Sequence, residues 1–258
     1  MAAVPIPRFD VLGVQVSAVD MNSALDEITR WIEARSPHYV CFTGVHGVME
    51  SQRDEALRQI HNRSGLTTPD GMPMVWAGHW AGFRSVTRVY GPDLMLTLSA
   101  RAAQRDWSCF FYGGKEGVAD SLAGRLAEMF PGLRIAGTYS PPFRPIDEAE
   151  DAALMARINA AAPDIVWVGL STPKQERWMS AHLGRLRASV LLGVGAAFDI
   201  HAGVVPQAPR WVQRSGLEWL FRLGTDPRRL ARRYLSNNPR FVLRILRSPP
   251  RPAGSVSG

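Results

Sequence analysis

The stretch that decides the fold is Pro163-Asp164-Ile165-Val166-Trp167-Val168-Gly169-Leu170-Ser171-Thr172-Pro173-Lys174-Gln175-Glu176-Arg177-Trp178. Its first half is a short apolar run bounded by turn residues, which is typical of a buried strand. Its second half is a polar, amphipathic run after two hydroxyl residues and a proline, which predicts the start of a helix. Backbone N–H groups at a helix start are unpaired and attract anions. We therefore predict that residues 171–176 bind a phosphorylated or hydroxyl-rich ligand.

The same alternation of apolar runs and helix-like segments extends through most of the chain. Strands are predicted at 11–16, 39–43, 66–68, 107–112 and 190–194, and helices at 22–34, 46–60, 73–80, 92–104, 116–130 and 147–161. Strands that alternate with helices of this length are typical of a parallel sheet. The predicted fold class is α/β, with a mostly parallel, Rossmann-like sheet and helices on both faces.

Positive charge is concentrated at the C-terminal end of the chain. The formal net charge is +7 over 258 residues, and residues 205–258 contain eleven arginines against Glu218 and Asp226. A segment of this kind indicates an anionic partner, such as nucleic acid, an acidic lipid surface or an anionic substrate. The apolar fraction of 46% excludes a disordered chain.

Composition divides the chain into three predicted parts. Residues 1–203 form the α/β domain, residues 204–248 form an arginine-rich helical appendage, and residues 249–258 form a disordered tail. Pro227 and Pro239 are expected to divide the appendage. After Pro239, arginines share one helical face beside apolar residues, which predicts an amphipathic basic helix.

Several classes of protein and site are not expected from the sequence. No apolar run approaches the roughly 20 residues needed to span a bilayer, so membrane contact is expected to be peripheral. Cys41 and Cys109 lie in apolar runs without the spacing of zinc ligands, which is compatible with a reducing cytoplasm. The chain has no Asp-x-Asp pair to hold a metal–nucleotide complex, so we expect no metal at the site.

Glycines and small polar residues follow the predicted strands. These segments are 43–46, 69–71, 113–117, 171–175 and 195–199. If the strands are parallel, the segments converge on one edge of the sheet, where glycine lets the backbone approach a ligand and helix starts supply donors for phosphate. This predicts a nucleotide pocket. The spacings of a P-loop and of a dinucleotide fingerprint are both missing, and each loop is equally compatible with a tight turn or a helix cap.

Asp70 and Arg88 each have two interpretations. Asp70 can cap the helix that follows Gly71, which the spacing alone favours, or it can take a proton from a hydroxyl nucleophile at a strand end. Arg88 can be an exposed ion-pair partner, or it can neutralise a pyrophosphate through bidentate hydrogen bonds. His46 is interpreted as a polar helix-start residue rather than as a base.

Eight groups of motifs occur together in a specific order. They are 69–73 with 75–76, 88–94, 111–118, 137–142, 168–170 with 173–176, 193–195 with 198–199, 208–211 and 217–223. Taken together, residues from about Phe9 to Leu235 resemble the WecG/TagA/CpsF group of bacterial glycosyltransferases, glycosyltransferase family twenty-six. The resemblance implies an inverting transfer of a hexose or N-acetylhexosamine-type sugar from a UDP-sugar to a polyprenyl-pyrophosphate-linked saccharide. Such a reaction belongs to cell-surface polysaccharide synthesis and needs no cofactor beyond the UDP-sugar donor.

The resemblance also assigns roles to residues of this sequence. It implies that Asp70 is the general base, that Thr43 and Gln175 line the donor and acceptor site, and that Arg88 lies near the diphosphate. Nucleotide-binding positions are assigned to Gly113, Gly114, Tyr139, Gly169, Lys174, Gly195 and Asp199. The family often shows Thr-Pro-Asn where this chain has Thr43-Gly44-Val45, so the asparagine's hydrogen bond is missing or is supplied by His46, and sugar specificity stays open.

The resemblance also implies a role for each predicted part of the chain and suggests its partners. Residues 1–203 become the nucleotide-sugar-binding catalytic domain, and residues 204–248 become a membrane-docking appendage. The arginines expected to contact an anionic membrane surface are Arg228, Arg229, Arg232, Arg233, Arg240 and Arg244. The protein is expected to be cytoplasmic and peripheral on the inner face of the cytoplasmic membrane. Nucleic acid is not an expected partner, and a homo-oligomer is compatible with the sequence.

Two rival function classes follow from the residues alone. A nucleotide-dependent oxidoreductase shares the sheet pattern, but the complete glycine fingerprint and its paired acidic residue are missing. A basic module that binds nucleic acid or lipid is suggested by the arginine-rich segment, although its aromatic residues alternate as amphipathic packing residues.

Overall fold

The structure, a computed structural model, describes residues 5–254. Its strands are β1 (Arg8–Val11), β2 (Val14–Ser17), β3 (His38–Thr43), β4 (Leu66–Pro69), β5 (Ser108–Gly113), β6 (Arg134–Tyr139), β7 (Ile165–Gly169), β8 (Val190–Gly193) and β9 (Arg251–Pro252). Its helices are α1 (Met21–Glu33), α2 (Val45–Ser51), α3 (Glu55–Arg63), α4 (Met72–Trp80), α5 (Gly91–Arg105), α6 (Val118–Met129), α7 (Glu148–Ala161), α8 (Lys174–His182), α9 (Ala197–His201), α10 (Arg210–Ser215), α11 (Glu218–Thr225) and α12 (Pro227–Arg247).

Six strands form a parallel sheet that is flanked by helices, in the order β4-β3-β8-β7-β5-β6. Every residue of β4, β5 and β8 is buried. Continuous burial of this kind is typical of parallel strands that are covered on both faces, and it explains why these strands have unbroken apolar runs in the sequence. The predicted α/β fold class is confirmed.

A small antiparallel sheet, in the order β2-β1-β9, corrects two predictions. The single strand predicted at 11–16 is a hairpin, because Leu12 and Gly13 have φ values of 54° and 85° and turn the chain back on itself. The disordered tail predicted at 249–258 is wrong for Arg251–Pro252, which pair with β1. Proline is tolerated there because β9 is an edge strand. Residues 255–258 lie outside the described part of the chain.

Two predicted helix boundaries are also corrected. The helix predicted at 46–60 is two helices, since Asp54 caps α3 by accepting a hydrogen bond from the Leu57 N–H at 3.0 Å. Pro239 does not divide the C-terminal segment, because α12 continues through it. Leu230, Phe241 and Ile245 are buried on either side of this proline, and their packing offsets the hydrogen bond that proline removes.

The chain forms two compact units. Among the described residues, the first unit comprises 5–24, 42–90 and 207–254, and the second comprises 25–41 and 91–206. In the first unit, Phe241 and Ile245 of α12 pack in one cluster with Phe9, Val48 and Met74. In the second unit, Phe110, Phe111 and Trp167 are fully buried. The C-terminal helices are therefore integral to the core of the first unit.

Candidate active site

The carboxyl ends of β5 and β7 form the topological switch point of the sheet. The two strands are neighbours, but the chain continues from β5 to β6 on one side and from β7 to β8 on the other. In open α/β sheets, ligands bind in the crevice that such a reversal leaves outside the strand ends. Both strands belong to the second unit, so this unit contains the expected ligand-binding edge.

Gly113 and Gly169 face each other across this switch point. The Gly114 N–H donates to the Gly169 carbonyl at 3.0 Å. Gly113 has a φ of 137°, and a Cβ atom there would lie 2.6 Å from the Gly169 backbone. A Cβ atom at Gly169 would lie 2.5 Å from the Phe198 ring. Close packing within the protein therefore requires glycine at 113 and 169, independently of any ligand.

The start of α8 supplies polar groups beside these glycines in the chain. Ser171 has a left-handed φ of 62°, which is uncommon for a residue with a side chain. Lys174 is exposed at the first residue of α8. Thr172 Oγ1 donates to Glu176 Oε1 at 2.8 Å, and the Glu176 side chain is buried in the first turn. Negative charge in the first turn of a helix is stabilised by the helix dipole.

Gln175 is held at the end of β8. Its Nε2 donates to the Gly193 carbonyl at 2.6 Å and to Glu176 Oε1 at 3.1 Å, and the residue is 3% exposed. Its Oε1 accepts no hydrogen bond from the described residues. A Cβ atom at Gly195, which has a φ of 51°, would lie 3.3 Å from that oxygen. A buried acceptor without a partner is rare in proteins and calls for a physical explanation such as a bound ligand.

The two remaining predicted nucleotide residues also belong to the second unit. Tyr139 ends β6, and its ring lies 6.1 Å from the ring of Tyr112. Asp199 lies in the short helix α9, where its carbonyl accepts from the Val204 N–H at 2.9 Å and the Val205 N–H at 3.1 Å. The second unit thus contains all seven residues predicted to bind nucleotide, together with Gln175.

Asp70 lies next to the end of β3 in the first unit. Its N–H donates to the Thr43 carbonyl at 3.1 Å, and a Cβ atom at Gly44 would lie 2.7 Å from the Asp70 carbonyl oxygen. The N-cap residue of α4 is Gly71, which has no side chain to cap the helix. The interpretation of Asp70 as the N-cap residue, which the spacing favoured, is therefore wrong. Thr43 Oγ1 is buried and has no partner among the described residues.

Arg88 lies in a half-buried polar network of the first unit. One of its amino groups forms an ion pair with Glu218, another lies 3.3 Å from Gln213 Oε1, and its guanidinium lies 3.8 Å from the centre of the Tyr90 ring. The Arg88 and Glu218 side chains are each 13% exposed. The interpretation as an ion-pair partner is correct for this structure, but the expected exposure is wrong because the C-terminal helices cover the pair.

The sequence interpretation missed four residues of this network, which are Tyr90, Gln213, Glu218 and Arg222. Tyr90 Oη donates to Glu218 Oε1 at 3.0 Å. Burial, followed by the negative charges of Glu218 and Asp70, raises the pKa of Tyr90. Burial lowers the pKa of Arg222, but the anionic partners that include Glu218 and Asp70 outweigh it and raise that pKa overall. In the sequence, this network was indicated by Glu218, the single carboxylate in the largely apolar segment 217–223, whose charge is opposite to that of Arg88.

A basic cleft of about 600 Å³ lies between α2 and α12 in the first unit. Its lining residues are His46, Glu50, Arg53, Arg232, Arg233, Ser236, Asn237 and Arg240. Asn237 is buried, with its Oδ1 3.1 Å from Arg53 Nη2 and its Nδ2 3.2 Å from His46 Nδ1. Four guanidinium groups against one carboxylate favour an anionic occupant. The side chain of Arg229 lies outside the described part of the chain.

Residues 5–254 contain neither a membrane-spanning helix nor a cluster of metal-ligating side chains. None of the helices in this range is long and apolar enough to cross a bilayer. Within the same range, no group of three or more His, Cys, Asp or Glu side chains is arranged to hold a metal ion.

Comparisons with known proteins identify the class of this fold and site. A model described as the glycosyl transferase WecG/TagA/CpsF family matches residues 9–254. Relatives from Bacillus subtilis (strain 168) and Bacillus spizizenii (strain ATCC 23059 / NRRL B-14472 / W23) are 30% and 34% identical, over 76% and 77% of this chain and 73% and 74% of their own lengths. A relative from Staphylococcus aureus (strain NCTC 8325 / PS 47) is 24% identical over 93% of both chains.

The switch-point crevice and these matches together define a glycosyltransferase. The chain belongs to the WecG/TagA/CpsF family, which confirms the resemblance seen in the sequence motifs. All three relatives are named N-acetylglucosaminyldiphosphoundecaprenol N-acetyl-beta-D-mannosaminyltransferase.

Proposed function

We propose that the protein transfers an N-acetylhexosamine-type sugar from a UDP-sugar to a saccharide linked to a polyprenyl pyrophosphate. The names of the relatives support this, since they describe transfer of N-acetylmannosamine to N-acetylglucosaminyl-diphosphoundecaprenol. The observation that carries the proposal to particular residues is that Gln175 Oε1 in the second unit is buried and finds no partner in the described chain, and the same is true of Thr43 Oγ1 in the first unit. Sugar hydroxyl and amide groups are suitable partners for both oxygens.

The proposed reaction is a single displacement with Asp70 as general base. The Asp70 carboxylate takes the proton of the acceptor hydroxyl while that oxygen attacks the anomeric carbon of the donor. The bond between this carbon and the diphosphate oxygen breaks, UDP leaves, and the anomeric centre is inverted. The role is supported by the position of Asp70 directly after the end of β4, where the N-cap of the following helix is Gly71.

The departing diphosphate needs positive charge and hydrogen-bond donors. In the second unit, the loop 113–117 and the first turn of α8 offer backbone N–H groups, and Lys174 adds a cation. In the first unit, Arg88 is fixed by its contacts with Glu218, Gln213 and Tyr90, which limits the entropy lost on binding an anion. Glu218 and Tyr90 are therefore positioning residues for Arg88.

The acceptor's own pyrophosphate is proposed to bind in the basic cleft between α2 and α12. Guanidinium groups bind phosphate oxygens through paired hydrogen bonds, and Arg232, Arg233 and Arg240 line this cleft. The same helix carries Arg228 and Arg244, which we expect to meet anionic lipids at the inner face of the cytoplasmic membrane. Each such arginine contributes roughly 1 kcal/mol to membrane binding.

A panel of UDP-sugars tests the proposal directly. Each donor is incubated with a short-chain polyprenyl pyrophosphate carrying N-acetylglucosamine, and both UDP release and product mass are measured. We expect product with UDP-N-acetylmannosamine or another UDP-N-acetylhexosamine, and none when the acceptor saccharide is omitted. UDP release without a new lipid-linked product, or no turnover with any donor, would contradict the proposal.

A further inference from the structure

Three tryptophan side chains of the first unit are largely exposed. Trp76 and Trp80 of α4 are 52% and 53% exposed, and Trp211 of α10 is 70% exposed. The chain contains eight tryptophans in total. Exposing so much aromatic surface to water is unfavourable, because an aromatic side chain removes about 150–250 Å² from water when it is covered. These side chains are therefore candidates for contact with a partner.

The exposed tryptophans lie on helices that contact one another. Trp76 and Trp80 are four residues apart and share one side of α4. A Cβ atom at Gly216, directly after α10, would lie 2.7 Å from the Trp76 ring. Leu217 and Leu220, which follow in the chain, are 45% and 51% exposed. We name these five residues the tryptophan face: Trp76, Trp80, Trp211, Leu217 and Leu220.

The charged residues around the tryptophan face are cationic. Arg210 and Arg214 flank Trp211 and are exposed, and Arg84 is exposed four residues after Trp80. The segments 72–84 and 207–223 contain a single carboxylate, Glu218. That carboxylate is engaged by Arg88 and Tyr90. An apolar surface with a cationic rim complements an anionic surface.

We propose that the tryptophan face is a membrane anchor that inserts into the interface of an anionic bilayer. Tryptophan prefers the boundary between headgroups and acyl chains, and neighbouring arginines attract anionic lipid. A second copy of the chain fits less well, because a two-fold contact would bring the same arginines of both copies together. The anchor is separate from the arginines of α12 and consists of different helices.

The anchor has a consequence for the site, and this step rests on the proposed function. Helix α4 begins directly after Asp70 and Gly71. From Met72 to Trp76 the helix rises about 6 Å at 1.5 Å per residue, and the two residues before it add at most roughly 7 Å, so Trp76 in the bilayer interface holds Asp70 within roughly 13 Å of the headgroups. An acceptor hydroxyl close to a lipid pyrophosphate lies at this depth. The tryptophan face therefore sets the height of the proposed base above the membrane.

Vesicle binding of serine variants tests the anchor. The full-length protein is mixed with vesicles of phosphatidylglycerol and phosphatidylcholine at a ratio of three to seven, and binding is measured by co-sedimentation. We expect W76S/W80S/W211S to bind at least tenfold more weakly than the wild type. The matched control is Phe143→Ser, an exposed aromatic residue of the second unit at 92% exposure, which should bind as the wild type does. The double variant W80S/W211S keeps the Trp76–Gly216 contact, so weaker binding by this variant as well would show that the loss in the triple variant does not come from misfolding.

Two further measurements separate the possible outcomes. With a water-soluble short-chain acceptor, the variants should keep wild-type turnover, whereas turnover of a long-chain acceptor in vesicles should fall. Unchanged vesicle binding, or a variant that converts a wild-type dimer to a monomer in gel filtration without loss of binding, would overturn the anchor. If the wild type transfers no sugar but the variants still lose vesicle binding, the proposed function fails while the anchor stands.

Discussion

Asp70 illustrates how single residues are positioned by their neighbours in this protein. Its N–H is bound to the Thr43 carbonyl, and its own carbonyl lies where a side chain at residue 44 would clash. Glycine at 44 therefore brings the ends of β3 and β4 close together. The sequence predicted that Asp70 follows a strand, but two roles remained open until the N-cap of α4 was seen to be Gly71.

The Asp70→Asn substitution tests the general base at this scale. Asparagine keeps the shape of the side chain but does not accept a proton, and such acid–base assistance is typically worth about a hundredfold to ten-thousandfold. We expect kcat to fall by that factor while nucleotide affinity, measured by calorimetry, stays near the wild-type value. Asp106→Asn is the control, since that carboxylate is 79% exposed and forms an ion pair with Arg134. Wild-type turnover in Asp70→Asn would remove the residue from this role.

Two glycine-to-alanine substitutions should change stability in opposite directions. Gly113→Ala places a Cβ atom 2.6 Å from the Gly169 backbone at a φ of 137°, so it should destabilise the protein by on the order of 1–3 kcal/mol. Gly124→Ala lies inside α6 with nothing within 4 Å of the new atom, so it should stabilise by about 1 kcal/mol. Urea denaturation measures both. Equal effects of the two variants would contradict the close approach at the switch point.

At the scale of elements, α2 and α3 show why a helical pattern alone did not fix the boundaries. The periodic pattern extends over 46–60, but α2 ends at Ser51 and the Asp54 side chain caps a new helix that begins at Glu55. The two helices then pack together through buried polar groups. Ser51 Oγ lies 3.3 Å from His61 Nδ1, which also lies 3.0 Å from the Leu57 carbonyl.

His61 predicts a pH dependence of stability. Burial lowers its pKa from 6.5 to about 4, so the unfolded chain binds a proton below pH 6.5 that the folded chain does not bind. The free energy of unfolding should therefore fall as pH drops from 6.5 towards 4, by up to about 3 kcal/mol at 1.36 kcal/mol per pKa unit. Urea midpoints at pH 7, 5.5 and 4.5 measure this slope. His61→Gln should have a smaller slope over that range, and identical slopes in both proteins would disprove the assignment.

At the scale of the whole molecule, the C-terminal segment is both charged and structural. Phe241 and Ile245 of α12 are part of the first unit's core, and Glu218 of α11 pairs with Arg88. Deleting the chain after Gly203 would therefore remove core packing as well as positive charge. Charge substitutions on the exposed side of α12 separate these two contributions, because they leave the buried side chains in place.

The double substitution R228Q/R244Q tests the charge of this helix, since both arginines are exposed and are proposed to meet anionic lipids. Each arginine near an anionic bilayer contributes roughly 1 kcal/mol, so the affinity for phosphatidylglycerol vesicles should fall about thirtyfold. The difference should shrink as salt is added, because ions screen exposed charges. The control R105Q/R134Q removes two arginines of the second unit whose side chains are 54% and 57% exposed. Equal losses in both double variants would indicate a nonspecific effect of net charge.

The sequence by itself determined the α/β class, the family and the residues that follow each strand. It could do so because burial within one strand or helix leaves a periodic pattern in that segment, and because turn and cap residues mark its ends. Only the tertiary structure decided that Asp70 is not the N-cap residue of α4, that α12 continues through Pro239, and that Glu218 engages Arg88 across 130 residues of chain. These outcomes depend on contacts between distant segments, whose energies no local pattern contains.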